Sequence, residues 1–209
     1  MDNHIQLGEN KYNLTDQQAG AIAAAIRDFG LIGYKEVRLA DKAAGEVVTI
    51  AGVEFIVLEH QDGETALITK DCIGEDSEFG ENDNCYEGSY VDDICESFAA
   101  MLLDFVSAES IVEFDLDLTS DDGLKDYGQI RRRVALMTAD MYRRYVDILD
   151  LYNPGQYWWL STPRSTKRHG DDSWVKCVSP SGGILYDFFS IGNGVRPFCI
   201  LKSDIFVSH

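Results

Sequence analysis

The chain predicts an α+β fold, a mixed and largely antiparallel sheet with packed helices, long acidic loops and an extra N-terminal helix. Three observations carry that class. Apolar runs rich in Val, Ile and Phe cluster at 45–69 and again at 157–201, and they have the alternating or continuous pattern of strands. Between them lie segments whose apolar residues recur three and four apart, the spacing of helices packed by one face. From 71 to 124 the chain holds seventeen Asp and Glu and no Lys or Arg, a composition that belongs on the surface.

A first helix is expected over 15–29. Thr15 and Gln18 have capping-box spacing, Ala19, Ile22, Ala23 and Ile26 share a face, and Gly30 stands at the C-cap position. The expectation is that it docks on the core; a homodimer through its Ala-rich face is the alternative. Residues 1–44 are therefore read as an N-terminal helical extension and 45–209 as the α+β domain. Strands follow at 47–50 and 53–58, split by a tight turn at Ala51-Gly52, and at 65–69 after Gln61-Asp62-Gly63. The polar stretch 71–89 reads as a surface loop. A second helix is expected over 91–106, capped by Ser89, with Ile94, Phe98, Leu102 and Phe105 on one face. Residues 113–124 read as another acidic loop. A third helix starts at Thr138, carries Tyr142, Tyr145, Val146 and Leu149, and stops before Asn153-Pro154-Gly155. Strands return at 157–160, 174–178, 184–189 and 195–201, the middle two joined by the 179–183 turn.

A formal net charge of -18 argues against non-specific binding to nucleic acid or to an anionic membrane, both of which repel such a chain. It admits a basic protein partner, a cation, or imitation of a polyanion. Residues 1–6 lack the blocks of a secretory signal, and no apolar run approaches the about 20 residues that cross a bilayer. Five cysteines, odd in number and without a CxxC pair, fit free thiols in a reducing, cytoplasmic setting.

The strand pairs at 48–50 and 54–58, then Ala66-Leu67-Ile68-Thr69, a helix after Tyr86 and Ser89, Trp158-Trp159-Leu160-Ser161-Thr162-Pro163 and Gly194-Val195-Arg196-Pro197 form a recognisable series. Over about residues 45–203 it resembles the family called domain of unknown function 6273, common in gut Gram-positive bacteria and their phages. The resemblance implies a C-type-lectin-like core, in the branch shared with formylglycine-generating enzymes and phage receptor-binding proteins, whose loops bind a ligand. It names no ligand. Residues 1–44 and the acidity of the middle segment depart from the family pattern.

Candidate binding residues are the acidic runs: Glu75, Asp76 and Glu78; Glu81 and Asp83; Asp115 and Asp117; Asp121 and Asp122. Calcium takes about six to eight oxygens, so such runs admit it as a cofactor, but none has EF-hand spacing and a solvated acidic face is the simpler expectation. Trp158, Trp159 and Trp174 suit a sugar-stacking platform only if their rings are exposed. Adjacent residues of a strand point to opposite faces, so burial of at least one of Trp158 and Trp159 is expected. Arg196 could read an anion, but the resemblance implies that it braces the end of the sheet by hydrogen-bonding loop carbonyls or a carboxylate. Arg131 to Arg133, Arg143, Arg144 and the basic residues of 164–169 are expected to neutralise the acidic loops from within, with contact to an acidic face of another copy as the alternative.

No zinc spacing, nucleophile elbow, phosphate loop or paired-carboxylate motif appears. Ser173 to Cys177 matches only part of a formylglycine-type motif, with Cys199 the sole later cysteine. The expected function is thus a non-enzymatic interaction protein of a bacterium or its phage. Its most natural partner is a protein, and a basic one suits the charge. An acidic mimic of nucleic acid that inhibits a defence nuclease or DNA-binding protein is the first alternative. A calcium-dependent sugar binder is the second.

Overall fold

A computed structural model describes residues 4–7, 10–13, 15, 18 and 37–207. The chain opens with β1 (His4–Leu7) and β2 (Asn10–Asn13), an antiparallel pair that the sequence did not suggest. The capping box is formed: Gln18 N donates to Thr15 Oγ1 at 3.2 Å and Thr15 N donates to Gln18 Oε1 at 3.0 Å. The rest of the helix expected over 15–29, with Gly30, lies outside the described residues.

From there the elements are β3 (Val37–Arg38), β4 (Val47–Ile50), β5 (Val53–Gln61), β6 (Glu64–Thr69) and β7 (Ile73–Ser77). Next come α1 (Tyr90–Leu103), β8 (Ile111–Val112), β9 (Phe114–Asp117), β10 (Gln129–Arg132), β11 (Val134–Ala135), α2 (Ala139–Arg144) and α3 (Val146–Leu149). The chain finishes with β12 (Trp158–Pro163), β13 (Trp174–Val178), β14 (Ile184–Phe188), β15 (Asn193–Val195), β16 (Phe198–Lys202) and β17 (Phe206–Val207). Strands outweigh helices, as the expected α+β class requires.

One sheet has the order β11-β16-β6-β5-β4, with β8 also on β16; a second has the order β14-β13-β12-β15-β7. The β4–β5 and β5–β6 hairpins turn on Ala51-Gly52 and Asp62-Gly63, all four residues at positive φ, the geometry that matches strand twist in a two-residue turn. Strand β3 pairs with β17, and Leu39 just after it is fully buried, so packed structure begins by Val37.

The core is double. Phe55, Val57, Leu67, Cys199 and Leu201 face one apolar cluster, which α1 covers. Their neighbours Ile56, Leu58, Ile68 and Phe198 face the other, covered by residues of α2 and α3. Burial on both faces is why these strands read as continuous apolar runs rather than alternating ones. Trp159 belongs to the first cluster and Trp158 to the second, 0% and 1% exposed. The alternation expected of this pair is observed, and both rings are core.

Five expectations need correction. The stretch 71–89 is not a solvated loop: it contains β7, the edge strand of the second sheet, and buries Phe79, Asn84 and Tyr86. Phe79 packs edge-on against Trp159 at 5.5 Å, and the Tyr86 hydroxyl accepts from Leu136 N at 3.1 Å. Nor is 113–124 a loop throughout, since β9 pairs with β10 and sinks Leu116, with Leu118 buried just beyond. The segment expected as one strand over 195–201 is two, because Pro197 offers no N–H to a ladder and the chain crosses there from the second sheet to the first.

The fourth correction concerns the helix face on 91–106. Ser89 caps α1 as expected, its Oγ accepting from Asp92 N at 3.2 Å, but the buried side is Val91, Cys95, Phe98, Ala99 and Leu102. Ile94 is only half-buried, and Phe105 lies past the helix end at 64% exposure. Thr138 caps α2 as expected. What was expected as one helix breaks into α2 and α3 at Tyr145, where φ is -110° and ψ 14°.

The two sequence motifs meet in space. Trp158 pairs with Gly194 in parallel, and the Arg196 guanidinium lies 5.1 Å from the Trp158 ring. A Cβ at Gly194 would lie 2.5 Å from Cys72 Sγ and 2.6 Å from Gln156 Nε2, which explains glycine at that position without recourse to backbone strain.

Candidate binding surface

The structure treats the two acidic stretches differently. The second is neutralised from within. Arg131 reaches Glu113 and Asp115, Arg133 reaches Glu113, Arg168 reaches Asp126, and Arg143 reaches Asp121 and Asp140. Of the basic groups expected to neutralise the acidic loops, Arg131, Arg133, Arg143, Arg168 and His169 meet acids of 113–126, whereas Arg132 pairs with Asp92 and Glu96, Arg144 with Glu59 and Arg164 with Asp171. Arg132 also clamps Asp92 with two hydrogen bonds, Nε to Oδ1 at 2.8 Å and Nη2 to Oδ2 at 2.6 Å, fixing the first turn of α1 to β10.

The first stretch is left bare. Among the described residues none of the seven acids Asp71, Glu75, Asp76, Glu78, Glu81, Asp83 and Glu87 has an ion-pair partner, nor does Asp93. Most of their side chains are exposed on or beside β7. Asp76 accepts only from Gln156 Nε2 at 3.2 Å, and Asp83 holds Cys85 N at 2.9 Å. Their charges act together over roughly a Debye length of about 8–10 Å.

Asp117, Asp121 and Asp122 lie elsewhere, around the turn 120–124. Asp117 and Asp121 line a polar cleft of about 460 Å³ with Thr119, Ser120, Lys125 and Arg143. Asp121 points to the buried Lys176 ammonium at 3.0 Å and accepts from the Tyr186 hydroxyl. Its burial opposes ionisation, but those hydrogen bonds and the charges of Lys176 and Arg143 hold the carboxyl below its ordinary range. Asp122 turns the other way and gathers Ser120 Oγ at 2.5 Å, Ser165 Oγ at 2.6 Å and His169 Nδ1 at 2.9 Å. The sequence did not suggest this cluster, because its members are far apart in the chain and individually ordinary.

Hydrogen bonds from Ser120, Ser165 and His169 hold the Asp122 carboxyl well below the usual carboxylate range. A depressed folded-state value stabilises above the unfolded value of about 4, and the benefit is lost as pH falls below it. Asp122→Asn is therefore expected to melt below the wild type at neutral pH. The gap should close on acidification towards the folded-state value, as followed by thermal unfolding across pH. A gap independent of pH would mean that the carboxylate charge does not matter there.

Among the described residues no group of three or more His, Cys, Asp or Glu side chains is arranged to hold a metal ion. The runs 75–78, 81–83, 115–117 and 121–122 do not converge on one point. All five thiols are free; burial pushes Cys72 up to about 11 and Cys95, Cys177 and Cys199 up to about 12, so they are protonated at neutral pH. Trp174 is the one half-exposed tryptophan, packed edge-on against Phe188 at 5.6 Å. No described helix is long and apolar enough to cross a membrane.

Fold and surface together define an α+β protein with a double core and an acidic face that has no ion-pair partner among the described residues. Compared with protein families, curated proteins and solved structures, the chain matches none.

Proposed function

We propose that this chain is a non-enzymatic binding protein that presents the acidic stretch 71–93 to a basic protein partner. The observation that carries the reading is uneven neutralisation: among the described residues the seven acids from Asp71 to Glu87 have no ion-pair partner, while 113–126 is laced with arginines. A surface selected only for solubility has no reason to spare one acidic stretch and neutralise the next. Exposed acids on edge strand β7 also discourage pairing with stray strands, which suits recognition by side chains. The C-type-lectin-like build and the kinship with domain of unknown function 6273 belong to the same proposal. What supports them is the adjacency of Trp158 and Gly194 in one sheet with Arg196 over the Trp158 ring.

Tagged protein incubated with bacterial lysate at low salt should retain a basic protein that elutes as salt rises. The triple variant Glu75→Lys/Asp76→Lys/Glu78→Lys should lose it, while Glu109→Lys/Asp147→Lys, exposed and away from that stretch, should keep it. Retention by both variants would remove the acidic-face reading. Displacement of the retained protein by duplex DNA would select the narrower reading, a mimic of nucleic acid acting on a nuclease or DNA-binding protein.

A further inference from the structure

Helix α1 has more apolar surface than the core uses. Its buried side is Val91, Cys95, Phe98, Ala99 and Leu102, yet Ile94 and Met101 flank that side and reach solvent. With Ile73 of β7, Asp93, Ser97 and Phe98, these two residues line a shallow groove of about 390 Å³ whose walls are largely apolar. Ile94, Phe98 and Met101 stand at i, i+4 and i+7, so the stripe runs for about 10 Å along the helix, two turns. Phe105, just past the helix end, is 64% exposed.

The surroundings of the groove restrict what fits. Asp93 lies in its wall, Glu75 and Asp76 follow Ile73 along β7, and Asp104 closes α1, all without an ion pair among the described residues. A second copy of this chain would bring the same carboxylates against one another, and an anionic lipid surface would be repelled likewise. A segment with apolar residues one turn apart and Lys or Arg on its flanks meets both demands.

We propose that the groove between β7 and α1 is the docking site for a basic amphipathic helix of the protein partner. The proposal rests on the acidic-face reading above and adds to it the apolar contact and the shape of the ligand. The helix lays its apolar row along Ile94, Phe98 and Met101, and its basic residues reach Asp93, Glu75 and Asp104. The apolar contact supplies affinity that salt does not screen, and the acids supply orientation and speed of encounter.

The probe is a short fluorescent helix of Leu and Lys in amphipathic order, titrated with the full chain and followed by anisotropy. A peptide of the same composition in scrambled order is the control. The ordered peptide should bind at least tenfold more tightly than the scrambled one. Ile94→Ser and Met101→Gln, both at half-exposed positions and checked by thermal melts, should each weaken it about tenfold. Equal binding of the two peptides, unchanged by Met101→Gln, would overturn the groove while leaving the acidic face in place. Absence of binding by either peptide, with a Met101→Cys thiol open to maleimide, would overturn both. The same absence with that thiol protected would assign the groove to the chain's own segment 15–29 and overturn the proposal. A dimer seen by sedimentation and dissolved by Met101→Gln would assign the groove to a second copy and overturn the proposal as well.

Discussion

Arg196→Ala is expected to lower the unfolding free energy by roughly 4 kcal/mol, read from denaturant melts, because the side chain is a fully buried bracket between the two sheets. Its Nε donates to the Thr69 carbonyl at 2.8 Å, and Nη2 donates to those of Lys70 at 2.9 Å and Tyr152 at 3.1 Å. Removing it strands three carbonyls in the interior and opens a void beneath Trp158. Burial lowers the guanidinium to about 10, which still leaves it charged at neutral pH. Lys at this position carries the charge but not the planar fork, so Arg196→Lys is expected to recover less than half of the loss. A loss below about 1 kcal/mol for Ala would show that the bracket is dispensable.

Trp159→Ala is the other large effect, again about 4 kcal/mol, and it reaches the binding surface. The indole fills the first cluster against Phe79, and its Nε1 donates to the Ser77 carbonyl at 2.8 Å, at the end of β7. Loss of the ring should therefore raise amide exchange across 73–77 more than in β5 or β6. Trp159→Phe keeps much of the packing and breaks only that hydrogen bond. Its cost should be nearer 1–2 kcal/mol, with the faster exchange of β7 retained. Uniform acceleration over all strands would mean that Trp159 supports the core and does nothing particular for the acidic edge.

Much of the fold was legible because local chemistry and tertiary context agree. Ala51-Gly52 makes its two-residue turn as expected, and Ser89 and Thr138 cap helices with their own hydroxyls. The bracing role expected of Arg196 came with the family resemblance, and of the two acceptor types expected it meets carbonyls, those of Thr69, Lys70 and Tyr152. The failures arose where charge density masked pattern. Phe114-Asp115-Leu116-Asp117-Leu118 alternates with period two, but its acids drew attention to solvent rather than to the buried Leu116 and Leu118. In 71–89 the anchors Phe79, Asn84 and Tyr86 are isolated among polar residues, and only their distant partners Trp159, Tyr127 and Leu136 reveal them.

The candidate site was half legible. Seventeen acids without a base announce an acidic surface, and the arginines beyond 130 announce its counter-charge. Which acids are paired with which bases depends on register: Arg131 meets Asp115 because β10 runs antiparallel to β9. That pairing divides a single acidic stretch into a neutralised half and a bare one, and it is invisible in one dimension. The groove was hidden for a related reason. Spacing puts Ile94 and Phe105 on one face with Phe98 and Leu102, whereas the buried side of α1 takes Val91 and Cys95 in their place.

Uncompensated negative potential over 71–87, and its absence over 113–122, is what the proposed recognition surface requires. The most direct measurement is the paramagnetic broadening of backbone amides with a cationic and then an anionic nitroxide, because the ratio reports local potential residue by residue. Strong preference for the cationic probe is expected over 73–88, with little preference over 113–122 and attenuation of the first by salt. Equal preference over both stretches would contradict the uneven neutralisation, and the proposed recognition surface with it.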